Sequence, residues 1–183
     1  MTLTGKQMTA EELWRLPDDG MRHELIHGEL TTMSPGSSEH GRVAMRIGAR
    51  LDWFVERHQL GRVYAAETGF LLARDPDLVR APDAAFVRQE RLTAAGEGMP
   101  YFPGAPDLAV EVVSPNDRPA AVEAKVSTWL AYGTRLVIVV YPRSRTARVH
   151  RPGEPPRDLG DADSIDGADV VPGWSLPLPE LFA

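Results

Sequence analysis

Apolar residues recur along this chain at two different periods. Between Ser38 and His58, Val43, Ile47, Leu51, Phe54 and Val55 stand three or four residues apart or adjacent across one face. That spacing gathers side chains on one side of a helix, so a long amphipathic helix is predicted from Ser38 to about His58. A short helix is predicted at Thr9, because "TAEE" sets Glu12 three residues after a capping Thr. Between them, "RHELIHGELTTMSPG" alternates around His27-Gly28 and stops at Ser34-Pro35-Gly36, which reads as a β-hairpin.

Beyond His58 the period falls to two. "RVYAAETGFLL" (62–72), "DAAFV" (83–87) and "DLAVEVV" (107–113) are strand candidates. A second helix is predicted from about Arg118 to Tyr132, entered through "SPND" and stopped at Gly133. "RLVIVVY" (135–141) reads as a buried strand and "TARVH" (146–150) as its hairpin partner. A helix joining two buried strands makes a crossover, which leaves those strands parallel and the connection right-handed. The stretches Arg88 to Pro106 and Arg151 to Gly173, rich in Gly, Pro and Asp, are predicted loops. The sum is an α/β sandwich with a mixed sheet and an additional N-terminal hairpin.

Composition narrows this picture modestly. The length of 183 residues suits one domain, 1–183, with a proper core. Apolar residues make up 43% and charged residues 25%, a soluble globular balance. No apolar run is long enough for a membrane span, and "MTLTGKQMTAEELWRL" lacks a signal peptide's basic-then-apolar layout. A cytoplasmic protein is expected. The absence of cysteine excludes disulfides, a thiolate nucleophile and Cys-type zinc sites. A net charge of −6 argues against an indiscriminate nucleic-acid coat. It leaves room for a nuclease, whose active site is itself a cluster of acids neutralised by metal ions.

The chemistry gathers around one carboxylate. Strand parity in 107–113 puts Leu108, Val110 and Val112 on a core face, and Asp107, Ala109, Glu111 and Val113 on the other. An ionised carboxylate taken out of water must be paired, hydrogen-bonded or holding a metal. Asp83 stands at the mouth of strand 83–87, which the meander allows to neighbour 107–113. Two convergent carboxylates on a rigid sheet suit Mg²⁺ or Mn²⁺. Lys125 lies at the margin of the buried arc of the second helix (Val122, Val126, Trp129, Leu130), within reach of the sheet. Two acids, a divalent ion and a lysine form a toolkit for phosphodiester hydrolysis. The alternatives are bland: a Glu111–Lys125 ion pair, a turn residue at Asp83, and a solvated helix lysine. Arg42, Arg46 and Arg50 form a stripe that either grips a phosphate backbone or faces solvent. None of the five histidines is assigned as a ligand; His40 falls in the first turn of the long helix.

The stretches "HELIHGELTTMSP", "RAPDAAFV", "PDLAVEVVSPNDR", "KVSTWLAYG" and "VPGWSLPLPELF" resemble, in order, the Uma-type restriction endonuclease family of the PD-(D/E)XK nuclease superfamily. The resemblance implies a restriction-endonuclease-like αβββαβ core and a metal-dependent endonuclease acting on DNA. Because nucleases that cut both strands commonly need two sites and hairpin edges offer a route to pairing, a homodimer is expected. The resemblance makes Asp83 the first acid and Glu111 the second. The superfamily's lysine would fall at Val113; in this family it has moved to the helix, here Lys125. Glu24 matches an early glutamate that completes the site. Where the family often has Asp and Tyr four residues either side of that lysine, this chain has Ala121 and Trp129. Leu136-Val137-Ile138 replaces an aromatic pair in the following strand. Two other functions remain open: a catalytically inactive nuclease-fold binding or scaffold protein, and a metal-dependent hydrolase of small phosphate esters.

Overall fold

The computed structural model describes residues 7–95 and 98–183. Residues 1–6 of the opening stretch and 96–97 of the first predicted loop lie outside that description. The chain runs α1 (Ala10–Trp14), β1 (Arg22–Ile26), β2 (Glu29–Met33), α2 (Ser38–His58), β3 (Gly61–Ala65), β4 (Phe70–Ala73), β5 (Leu78–Arg80) and β6 (Ala84–Arg88). It continues through α3 (Gln89–Ala95), β7 (Phe102–Pro103), β8 (Leu108–Val112), α4 (Pro119–Ala131), β9 (Leu136–Tyr141), β10 (Thr146–His150), β11 (Arg157–Leu159), β12 (Ser164–Asp166), β13 (Ser175–Pro177) and α5 (Leu178–Phe182).

The larger sheet has the order β11-β10-β9-β8-β6-β3 and is mixed: β8 and β9 are parallel, and its other pairs are antiparallel. Its inner part with α2 and α4 follows the predicted order, α2, β3, β6, β8, α4, β9. The smaller sheet is β2-β1-β5-β4-β7, and β12 pairs with β13 apart from both. One face of the larger sheet (Phe86, Leu108, Val110, Val112, Ile138, Val140) packs on Val43, Ile47, Leu51 and Val55 of α2. The other (Ala85, Val87, Ala109, Val137, Val139) packs on Val126 and Trp129 of α4 and on Phe70. The parity inferred for 107–113 therefore holds.

Local chemistry explains the ends. Thr9 and Glu12 form the predicted capping box on α1. Ser37 caps α2 through the His40 N–H, and Arg57 and His58 sit in its last turn, where cations suit the helix dipole. His27 and Gly28 both take positive φ (52° and 81°), as a two-residue hairpin turn with the right twist requires.

Two expectations are corrected. The strand drawn through 62–72 is two strands in different sheets, because Glu67 takes a φ of 74° and breaks the run. A Cβ on Gly69 would also stand 2.4 Å from the Tyr101 ring, so the chain can turn there only with glycine. The two predicted loops contain α3, β7, β11 and β12, and β5 went unforeseen. Strands of two or three residues are too short to show a period.

Candidate active site at the seam of the two sheets

Between β5 and β6 the chain crosses from the smaller sheet to the larger through Ala81 and Pro82. The Ala81 peptide is a pivot: its N–H donates to Glu24 Oε1 (2.9 Å), and its carbonyl accepts from Lys125 Nζ (3.1 Å). Glu24 lies on the face of β1 opposite Leu25, which is buried with Val79 and Leu13. It is 1% exposed, and Arg80 holds its Oε2 at 2.9 Å.

Lys125 reaches into this seam from α4. Its ammonium pairs with Glu111 Oε2 at 2.9 Å and Glu24 Oε1 at 3.4 Å and donates to the Ala81 carbonyl, so three oxygens surround it. Burial works against the charged ammonium, but Glu111, Glu24 and Asp83 outweigh it and push the pKa up. Glu111, 7% exposed, takes the Trp129 indole N–H on Oε1 at 2.7 Å. Burial raises the Glu111 pKa to about 7 against the pull of Lys125, with the nearby Asp83 charge adding to the rise. For Glu24, burial is outweighed by Lys125 and Arg80, and the carboxyl is held below its ordinary range.

Asp83 stands one step beyond the Ala84–Val110 pair, level with Glu111 on the adjacent strand. Its N–H bonds the Val110 carbonyl at 2.9 Å, while its Oδ2 accepts the Val112 N–H at 2.7 Å and faces His40 Nε2 at 3.2 Å. The carboxylate thus lies at the sheet's end, reached by His40 from α2. Burial opposes ionisation, yet the His40 hydrogen bond and the Lys125 charge keep the Asp83 pKa low. The same hydrogen bond raises the His40 pKa against its burial.

Asp83 and His40 open onto a cleft of about 870 Å³ that runs beside α2 past Gly41, Gly48, Trp53 and Tyr64. Asp83 lines the cleft; Glu111, Glu24 and Lys125 lie behind it and do not. Asp83 and Glu111 are thus side by side, yet only one of them faces the open cavity.

The remaining sequence candidates are placed elsewhere. Arg42 donates to the Ala183 carbonyl at 2.9 Å, and Arg50 pairs with Glu180 at 3.6 Å. Arg46 donates to the carbonyls of Glu180 (3.1 Å), Leu181 (3.4 Å) and Ala183. The stripe of Arg42, Arg46 and Arg50 therefore bonds to α5 and the residue after it, a third alternative to phosphate and solvent. Trp129, read only as an apolar anchor, is the indole donor to Glu111; its place four residues after Lys125 was the available signal. His40 carried a weaker signal, its position at a helix start.

Both acids offer hard oxygen donors. Among the described residues no group of three or more His, Asp or Glu is set to hold an ion by itself. Two carboxylates completed by water and substrate oxygens are, however, a sufficient protein share for Mg²⁺. Asp83 Oδ1 is the freer oxygen: among the described residues its one ion-pair partner is Arg22, at 3.5 Å.

A family model for Uma2, described as "Putative restriction endonuclease", matches residues 10–179. A crystal structure described as a putative nuclease belonging to DUF820 from Anabaena variabilis aligns with a TM-score of 0.83 and 20% identity. The alignment covers 96% of this chain and 97% of that one, a likeness of fold. No curated protein matches the chain. Among the described residues, no helix is long and apolar enough to cross a membrane.

Proposed function

The chain belongs to the Uma2 family of restriction endonuclease-type proteins, and on that premise we propose that it is a metal-dependent endonuclease hydrolysing phosphodiester bonds in DNA. The supporting observation is one ammonium held by two buried carboxylates directly behind a third carboxylate, Asp83, that lines an open cleft.

In this reading Asp83 and Glu111 hold Mg²⁺ or Mn²⁺. When bound, such an ion supplies Lewis acidity toward a phosphoryl oxygen and makes hydroxide available near neutral pH. The chain's residues do the rest. The Val112 N–H and His40 fix Asp83 Oδ2 and leave Oδ1 as the oxygen for the ion. Trp129 orients Glu111 from the other side. Glu24 and the Ala81 carbonyl fix the Lys125 ammonium, which stabilises negative charge developing on the phosphate. A helix-borne lysine serves as well as one from the strand, since its charge acts on the site from behind Asp83, through the carboxylates it pairs with.

The test is cleavage of supercoiled plasmid and end-labelled oligonucleotides with Mg²⁺, with a chelator, and with Asp83→Asn. Cleavage by the parent that stops with the chelator and in Asp83→Asn is expected. An equally active Asp83→Asn would overturn the reading, as would a parent inert with Mg²⁺ and Mn²⁺. One observation favours a second reading, hydrolysis of small phosphate esters: Asp18, Asp52, Glu56 and Glu67 also line the cleft and would repel a polyanion. Turnover of a small phosphodiester with no plasmid cleavage would select it. Cutting both strands calls for two sites, and β2 ends the smaller sheet with an open edge for pairing. A dimer by sedimentation is expected; a monomer at every concentration contradicts pairing.

A further inference from the structure

Arg22 reaches the cleft from β1, two residues before Glu24 and on the same strand face. We propose that Arg22 is the residue that grips a phosphate of the substrate strand, a role that rests on the nuclease reading.

Three observations on the guanidinium carry this. Its closest acidic partner is Asp83 Oδ1 at 3.5 Å, beyond hydrogen-bond length and short of the two-pronged fit a guanidinium makes with a carboxylate. Among the described residues its Nε is buried with no hydrogen-bond partner, so no strong internal bond locks the guanidinium in place. Asp83 Oδ2 is already taken by Val112 and His40, so Arg22 faces the same oxygen that is free for a cation.

An anion placed at that point would pair with the loosely engaged terminal nitrogens of Arg22. Its charge would balance the guanidinium once Asp83 turned to a metal. A phosphodiester oxygen has that charge, and a guanidinium matches phosphate oxygens in pairs. Among the described residues lining the cleft, Arg22 is the one arginine or lysine. Arg80 is the instructive contrast. Its Nε also lacks a partner, but its terminal nitrogen is bound to Glu24 at 2.9 Å and it does not line the cleft.

The test is binding of a fluorescent oligonucleotide followed by anisotropy, with Ca²⁺ in place of Mg²⁺ and over a range of salt. Parent, Arg22→Gln and Arg22→Lys are compared, each checked by its melting temperature. Arg22→Gln is expected to weaken binding about tenfold or more and to lower the slope of log affinity against log salt by about one. Arg22→Lys retains a cation beside Asp83, so it should fold, keep the slope and lose part of the affinity with the lost fork. A purely structural arginine would shift the melting temperature and leave the slope alone, which overturns the proposal. So does an Arg22→Gln that binds like the parent, or a parent that binds no oligonucleotide. A parent that binds but never cleaves with Mg²⁺ defeats the nuclease reading while the Arg22 comparison still decides the grip.

Discussion

The Lys125 ammonium sits between two buried carboxylates, and that governs what its removal does. Lys125→Met leaves Glu111 and Glu24 without the charge between them, and stripping one partner from a buried pair costs about 3–5 kcal/mol. Adding Glu111→Gln should recover part of that loss, which chemical denaturation of both variants will show; a double variant no more stable than Lys125→Met would contradict the pairing. Glu111 also sets a pH dependence. Its pKa rises from 4.5 to about 7 on folding, so the folded protein binds the extra proton between those values. Without metal, stability should therefore fall as pH rises from about 4.5 to 7, and Glu111→Gln should remove that slope. Asp83 and Glu24 act oppositely and lower: their pKa values are depressed, so their contribution is lost only as pH falls below the ordinary carboxylate range. The face of Glu111 was legible from strand parity, and the reach of Lys125 from its helix margin. The Trp129 indole left only its spacing from Lys125 as a signal and the loose guanidinium of Arg22 left none, since a partner brought from another element leaves no period in the chain.

The elements that carry a long repeat were the readable ones. Helix α2 runs from Ser38 to His58 as its apolar spacing predicts, and the α4 crossover makes β8 and β9 parallel. The arginine stripe shows where such reading stops, because a helix surface does not reveal whether water, phosphate or another helix faces it. Here α5 and the residue after it do: the Glu180 carbonyl takes Arg46, and the Ala183 carbonyl takes Arg42. Arg46→Gln should accordingly lower stability by about 1.5–3 kcal/mol, the scale of hydrogen bonds to a charged donor. Oligonucleotide affinity should stay at the parental value. A variant that folds as well as the parent but binds weakly would return the stripe to nucleic acid.

At the scale of the molecule, the site exists because two sheets meet. β1 supplies Glu24 and Arg22, the β5–β6 crossing supplies Ala81 and Asp83, β8 supplies Glu111, and α4 supplies Lys125 and Trp129. The meander already allowed β6 and β8 to be neighbours; that β1 belongs to a second sheet closing over them was not legible, since a hairpin's alternation does not say what it packs against. This construction concentrates three carboxylates and three cations where the cleft ends, and the central claim is that the acids there hold a divalent ion. Calorimetric titration with Mn²⁺ of the parent and of Asp83→Asn tests it most directly. Binding by the parent that is lost in Asp83→Asn, with the variant still folded, is the predicted result. A parent that takes up no Mn²⁺, or an Asp83→Asn that binds it equally well, would contradict the claim.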